Sequence, residues 1–278
     1  MKRLVALYRR PSYSPLQHRT NDTAILEATA AELSHAGWDV TGATESDVEG
    51  GRLPGADLYL NMCQGTKASE RLSAVGVGSA RVVNRPESVL NCHRQRLVET
   101  LVTAGVPFPK TLLARTTPGA TTGVPIDLLT TDHDPIWVKR GDVHAERAED
   151  VVVTDRDGID ETLAAFARRG IQWAALQANV PGPIVKFYGV ADGRFFRWYS
   201  ATGDASVKAD EARLREVAFG AAQALGLEVF GGDVALPAPD RPVLNDLNDW
   251  PSFAPFRADA SRAIAGYVHD TFRNGGRV

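Results

Sequence analysis

The chain has 278 residues, a net charge of −3, 44% hydrophobic and 23% charged residues, enough to bury a sizeable core in one to three lobes. With no strong field of either sign it reads as neither a nucleic-acid nor a membrane binder. Its two cysteines, Cys63 and Cys92, are too few for a disulfide framework and fit a reducing, cytoplasmic setting.

Residues 4–8 form an apolar run of strand length, far too short for a signal peptide or a membrane span. Asn21, Asp22 and Thr23 are expected to cap a helix that carries Leu26, Ala30 and Leu33 on one face and ends near Gly37. Strands are expected at 39–40, 58–60 and 81–84, with a helix near 69–74. Strands alternating with helices predict a parallel sheet covered on its faces. One helix is then expected over residues 86–104, stopped by Gly105-Val106-Pro107-Phe108-Pro109.

A turn-rich stretch at 116–122, with Pro118, Gly119 and then Gly123, marks a lobe boundary. Strands are expected at 136–138, 151–154, 173–177 and 184–190, with a helix at 159–168. Residues 195–199 pair back across Ala191-Asp192-Gly193 as a hairpin. A helix over 210–225, strands at 227–236 and 243–247 and a helix at 258–272 complete the chain. There is no internal repeat.

Several fingerprints are missing: no phosphate-binding G-x-x-x-x-G-K-[ST] loop exists, and Gly76-Val77-Gly78 lacks the third glycine of a dinucleotide turn. The scattered histidines offer no zinc spacing. The strongest local signal is Gly231-Gly232-Asp233-Val234 followed by residues 243–251, Val-Leu-Asn-Asp-Leu-Asn-Asp-Trp-Pro. If these segments pair, alternation sets Asp246 and Asn248 on one face with Asp233 across from them. Two carboxylates and an amide oxygen are hard ligands of the kind Mg²⁺ takes. A plain hairpin explains Asn245 and Asp249 as turn formers, but not polar residues alternating inside an apolar strand. Lys139 ends the apolar run 135–139, and residues 173–180 lead an apolar strand into Pro181-Gly182-Pro183. Such a lysine can lie along a nucleotide's phosphates, though a strand-end lysine is more often just solvated, and residues 173–180 can read an adenine edge or, equally well, be a plain core strand.

Taken in order, the pieces resemble the ATP-grasp superfamily over roughly residues 85–275. His93-Arg94, with Gly105 to Pro109 beginning eleven residues after Arg94, looks like its basic residue and entry into the central domain. Val138-Lys139 looks like its second basic residue, and Gln177, Ala178, Asn179 and Val180 like its adenine hinge. Residues 224–227 before Gly232-Asp233-Val234, then Asp246-Leu247-Asn248 and Pro251, resemble its metal-binding end. Arg94 stands where lysine is common, Asp246 where glutamate is usual, and Ala178 where an acidic residue is frequent.

The resemblance implies an α/β ATP-grasp fold: a parallel α/β domain over residues 1–84, then an ATP-grasp domain over 85–278 with a smaller lobe at about 115–180. Two α+β lobes would clamp ATP. Mg²⁺, or Mn²⁺ in its place, would sit on Asp233, Asp246 and Asn248, and Arg94, Lys139 and Lys186 would face the phosphates. The leading activity is ligation of a carboxylate to an amine through an acyl phosphate, as in the ribosomal-protein glutamate ligase and glutathione synthetase branches. The alternatives are a kinase acting on an alcohol, since residues 185–190 are similar to the inositol-phosphate kinases, and a non-catalytic nucleotide-binding regulator. Partners would be ATP and small molecules, and a homo-oligomer is compatible with the sequence. On the acceptor side stand Arg197, beside Phe195, Phe196 and Trp198, and with it Lys186. Arg194 and the loop with Arg9, Arg10 and Arg19 are further candidates there, His144 could also face the phosphates, and Cys63 and Cys92 read as buried small side chains.

Overall fold

A computed structural model of the chain describes residues 2–13, 19–76, 80–117, 124–129, 134–143 and 147–273. Its strands are β1 (Arg3–Tyr8), β2 (Asp39–Thr44), β3 (Leu58–Asn61), β4 (Arg81–Val83), β5 (Thr111–Arg115), β6 (Ile136–Arg140), β7 (Val151–Thr154), β8 (Trp173–Ala178), β9 (Ile184–Val190), β10 (Phe195–Ser200), β11 (Val229–Ala235) and β12 (Val243–Asp249). Its helices are α1 (Arg19–His35), α2 (Glu45–Glu49), α3 (Thr66–Gly76), α4 (Pro86–Asn91), α5 (Arg94–Thr103), α6 (Ile159–Arg168), α7 (Glu211–Leu225) and α8 (Arg257–Arg273).

Leu4 to Leu7 are buried on both faces because β1 is interior to a parallel sheet of order β2-β1-β3-β4. Two antiparallel sheets follow, β5-β8-β6-β7 and β10-β9-β11-β12. The former lays Val138, Ala174 and Leu176 on Ile159, Leu163 and Phe166 of α6. The latter buries Phe187, Phe230 and Leu247 against α7. A further core joins Leu4, Leu58 and Val83 of the parallel sheet to Tyr188, Trp250 and Val268 from the C-terminal half.

Side chains after β4 stitch the parallel sheet to the start of β11. Asn84, fully buried, accepts from the Glu228 and Val229 amides at 2.8 and 2.9 Å and donates to the Val229 carbonyl at 2.8 Å. Ser88 donates to the Gly226 carbonyl at 2.6 Å and Asn91 to that of Leu225 at 3.3 Å. Gly226 closes α7 with φ 75°, the left-handed cap that glycine adopts without penalty.

Three expectations need correction. The helix over 86–104 is two helices, because His93 takes an extended backbone (ψ 130°) and its ring bonds the Gln64 carbonyl at 3.1 Å. Asn21, Asp22 and Thr23 lie inside α1, which starts at Arg19, and so do not cap it. At α7, Asp210 stays outside the helix as its N-cap, accepting from the Ala212 and Arg213 amides. The turn-rich residues 118–123 lie outside the described residues.

Candidate functional site

Alternation along β6 points Trp137 and Lys139 to the face that Gln177 and Ala175 of β8 share. Lys139 is 7% exposed and donates to the Asn245 carbonyl of β12 at 3.3 Å. The break at His93 starts α5 with Arg94, 3% exposed, whose Nη2 donates to Asp246 Oδ2 at 3.2 Å. Arg94 Nε and Nη1 are buried without a hydrogen-bond partner among the described residues. Burial, with the Arg94 charge beside it, pushes the Lys139 ammonium down to about 8 against the pull of Asp246 and Asp233.

The loop after Lys139 is locked to both neighbours through Gly141. Its carbonyl accepts from the Gln95 amide at 3.1 Å and its amide donates to the Trp173 carbonyl at 2.8 Å. A Cβ at this position would meet that carbonyl carbon and oxygen at 2.8 Å, so only glycine lets the strands close up.

The register sets Asp233 opposite Asp246 and Gly231 opposite Asn248, so the three oxygen-bearing side chains share one face, with Leu247 fully buried on the other. Lys186, opposite Asp233 on β9, bonds its Oδ1 at 2.7 Å. Burial works against the Lys186 ammonium, but Asp233 outweighs it and holds the pKa above the usual lysine value. Burial lifts the Asp233 carboxyl, with Lys186 opposing and Asp246 adding to the shift. Among the described residues no group of three or more His, Cys, Asp or Glu could hold a metal ion, so a cation here would rely on Asp233, Asp246 and the Asn248 amide oxygen. That donor set fits Mg²⁺, which takes few carboxylates and keeps positions for phosphate and water.

Arg94, Lys139, Asp233 and Asp246 line one end of a cavity of about 500 Å³, and Gln177, Ala178, Asn179 and Val180 line the other. Trp137 lines it too, its indole N–H donating to Asn179 Oδ1 at 3.0 Å. The sequence reading missed Trp137; the available signal was its place two residues before Lys139 on a strand. Lys186 and Asn248 stand beside this cavity on the sheet face and do not line it.

Arg197 lies on the same face as Lys186, across Tyr188, with its guanidinium over the Phe195 ring and on the Phe196 carbonyl at 2.8 Å. Next to it the Tyr188 and Tyr199 hydroxyls meet at 3.3 Å. Arg194 is spent at the hairpin on Asp192 (2.7 Å) and Asp270 (3.2 Å). In the loop after β1, Arg10 pairs with Glu49 at 2.5 Å, so the structure commits that side chain internally, and Arg9 donates to the Trp250 carbonyl at 3.2 Å. His144 lies outside the described residues, as does the Arg19 side chain. Cys63 and Cys92 are buried, and burial drives both thiols well above their usual range.

The sequence matches no protein-family model and no curated protein. Solved structures do match. A RimK domain ATP-grasp protein from Sphaerobacter thermophilus is 18% identical over 96% of this chain and 99% of its own, with a TM-score of 0.69. The D-alanine–D-alanine ligase from Bacillus anthracis, solved in complex with ATP, is 13% identical over 99% of each chain, with a TM-score of 0.74. The corresponding ligase from Coxiella burnetii is 11% identical over 99% of this chain and 98% of its own, with a TM-score of 0.69.

Proposed function

We propose that this chain, which has the ATP-grasp fold, is an ATP- and Mg²⁺-dependent ligase that activates a small-molecule carboxylate and joins it to an amine. The observation that carries this reading is the convergence of two buried cations, Arg94 and Lys139, on the cross-strand pair Asp233 and Asp246 at one end of a single cavity. Solved proteins of this fold named as ligases, one of them in complex with ATP, support it.

The polyphosphate of ATP would lie at the cationic end, where Arg94 has two unspent donors and Lys139 is desolvated. Asp233, Asp246 and Asn248 would hold Mg²⁺, which when bound neutralises charge on the phosphate oxygens. The base would lie at the Gln177–Val180 end. In the first half-reaction a carboxylate oxygen attacks the γ-phosphorus and ADP leaves, giving an acyl phosphate. In the second the amine nitrogen attacks the acyl carbon, and phosphate leaves carrying the amine's proton. β9 lies between β10 and β11, so Lys186 stands between the carboxylate pair and Arg197, on the face where an anionic acceptor would dock.

Two measurements test this reading. ATP with Mg²⁺ raises the melting temperature, a ligand at a hundredfold its Kd adding about 2.7 kcal/mol. Turnover with a pooled metabolite library in the presence of hydroxylamine yields a hydroxamate, the trapped acyl phosphate. The absence of any nucleotide-dependent shift at millimolar concentration removes the reading, and a phosphorylated alcohol without hydroxamate replaces the ligase with a kinase.

A further inference from the structure

The base end of the cavity has a polarity set by hydrogen bonds that run away from it. Gln177 of β8 lies opposite Thr111 of β5 on one side and opposite Trp137 of β6 on the other, so the three form one row across adjacent strands. The Thr111 hydroxyl gives its only proton to the Pro109 carbonyl at 2.9 Å. Its oxygen can then only accept, so the Gln177 atom 3.3 Å away is the donating nitrogen, Nε2. Gln177, 3% exposed and lining the cavity, keeps Oε1 as an acceptor with no donor among the described residues. The second lock is Trp137. An indole N–H can only donate, so Asn179 turns Oδ1 toward it and leaves Nδ2 as a donor.

We infer that Thr111 and Trp137 are positioning residues that make this cavity select a 6-aminopurine over a 6-oxopurine. The inference rests on the nucleotide reading of the cavity. A 6-aminopurine presents an amino donor beside ring-nitrogen acceptors, which the fixed Gln177 acceptor and Asn179 donor complement. A 6-oxopurine reverses the pattern at positions 6 and 1 and sets its oxygen against Gln177 Oε1. Turning the Gln177 amide over would cure that clash, but it would aim Oε1 at a Thr111 oxygen whose proton is committed to Pro109. One lost hydrogen bond is the cost either way.

Direct binding of ATP, ITP and inorganic tripolyphosphate to the full chain, each with Mg²⁺, reads this selectivity. ATP should bind about tenfold more tightly than ITP. Thr111→Val, which frees Gln177 to turn, should narrow that ratio to about twofold with tripolyphosphate affinity unchanged, and Thr111→Ser should keep the wild-type ratio. Trp137→Phe, which frees Asn179, should narrow it as well, and serves if Thr111→Val does not fold. Equal binding of ATP and ITP to the wild type overturns the inference and leaves the nucleotide reading standing, as does an unchanged ratio in folded Thr111→Val or, where that variant does not fold, in Trp137→Phe. Failure of both ATP and tripolyphosphate to bind the wild type removes the nucleotide reading, and the inference with it.

Discussion

Asp233 and Asp246 face one another across β11 and β12, and each leans on a cation from a different element, Lys186 at 2.7 Å and Arg94 at 3.2 Å. Like charges directly opposite in a sheet are destabilising, so this pair persists through the cations around it. The arrangement predicts separate consequences for chemistry and for folding.

Asp246→Asn removes one charge of the pair and almost no volume. Turnover should be abolished while the melting temperature stays near that of the wild type. Leu247→Asn, one residue along and fully buried, should instead cost about 3 kcal/mol by burying an unpaired amide. Substantial Mg²⁺-dependent activity in Asp246→Asn would show that the metal ligands are misassigned.

Lys139 should give the site a pH dependence. Its folded-state value of about 8 lies below that of an unfolded lysine, so between the two the unfolded chain holds the extra proton. This residue therefore adds stability as the pH rises above about 8, whereas affinity for tripolyphosphate, which needs the ammonium, falls over the same range. Lys139→Met should raise the melting temperature of the free protein at neutral pH and bind tripolyphosphate poorly at every pH. An affinity flat from pH 7 to 9 would contradict the assignment of Lys139 to the phosphates.

The two arginines of the hairpin should behave differently. Arg197→Ala should raise the acceptor KM or lower kcat with ATP affinity unchanged, because its charge has no acidic partner among the described residues. Arg194 is tied to Asp192 and Asp270 at the surface, so Arg194→Ala should leave kinetics alone and cost under about 1 kcal/mol. Steady-state kinetics on both variants decide the point, and the reverse pattern would put the acceptor on the other side of the sheet.

Asn84→Ala should be the most damaging of the polar truncations. It strands the Glu228 and Val229 amides in the interior, at about 2–4 kcal/mol, while the Val229 carbonyl keeps the Trp250 amide at 3.2 Å. Urea unfolding measures the loss, and a midpoint within error of the wild type would show that these groups find other partners.

Much of this architecture was legible because apolar spacing and turn chemistry agree. The hairpin turn at Asp192 and Gly193 has positive φ at both residues, as such a turn requires. The face shared by Asp246 and Asn248 follows from alternation alone. The break at Cys92-His93 was not legible, since helical periodicity runs through it and the cause, Gln64, lies far off in the sequence, in the loop between β3 and α3. β5 was missed because five residues between prolines and a turn carry little alternation. The short helix α2 was overlooked, although Thr44 and Asp47 form its capping box. The locks on Gln177 and Asn179 depend on cross-strand partners that no local window contains.

The core that joins Leu4, Leu58 and Val83 to Tyr188, Trp250 and Val268 has a consequence for dissecting the molecule. A gene split after residue 84 divides one interior between two polypeptides, each left with an uncovered apolar face and, on the larger piece, unpaired backbone at residues 228–229. Neither piece is expected to fold alone. Mixed together, they should assemble by complementation, and in the intact chain the parallel sheet should melt in the same cooperative transition as the sheet that carries the carboxylates.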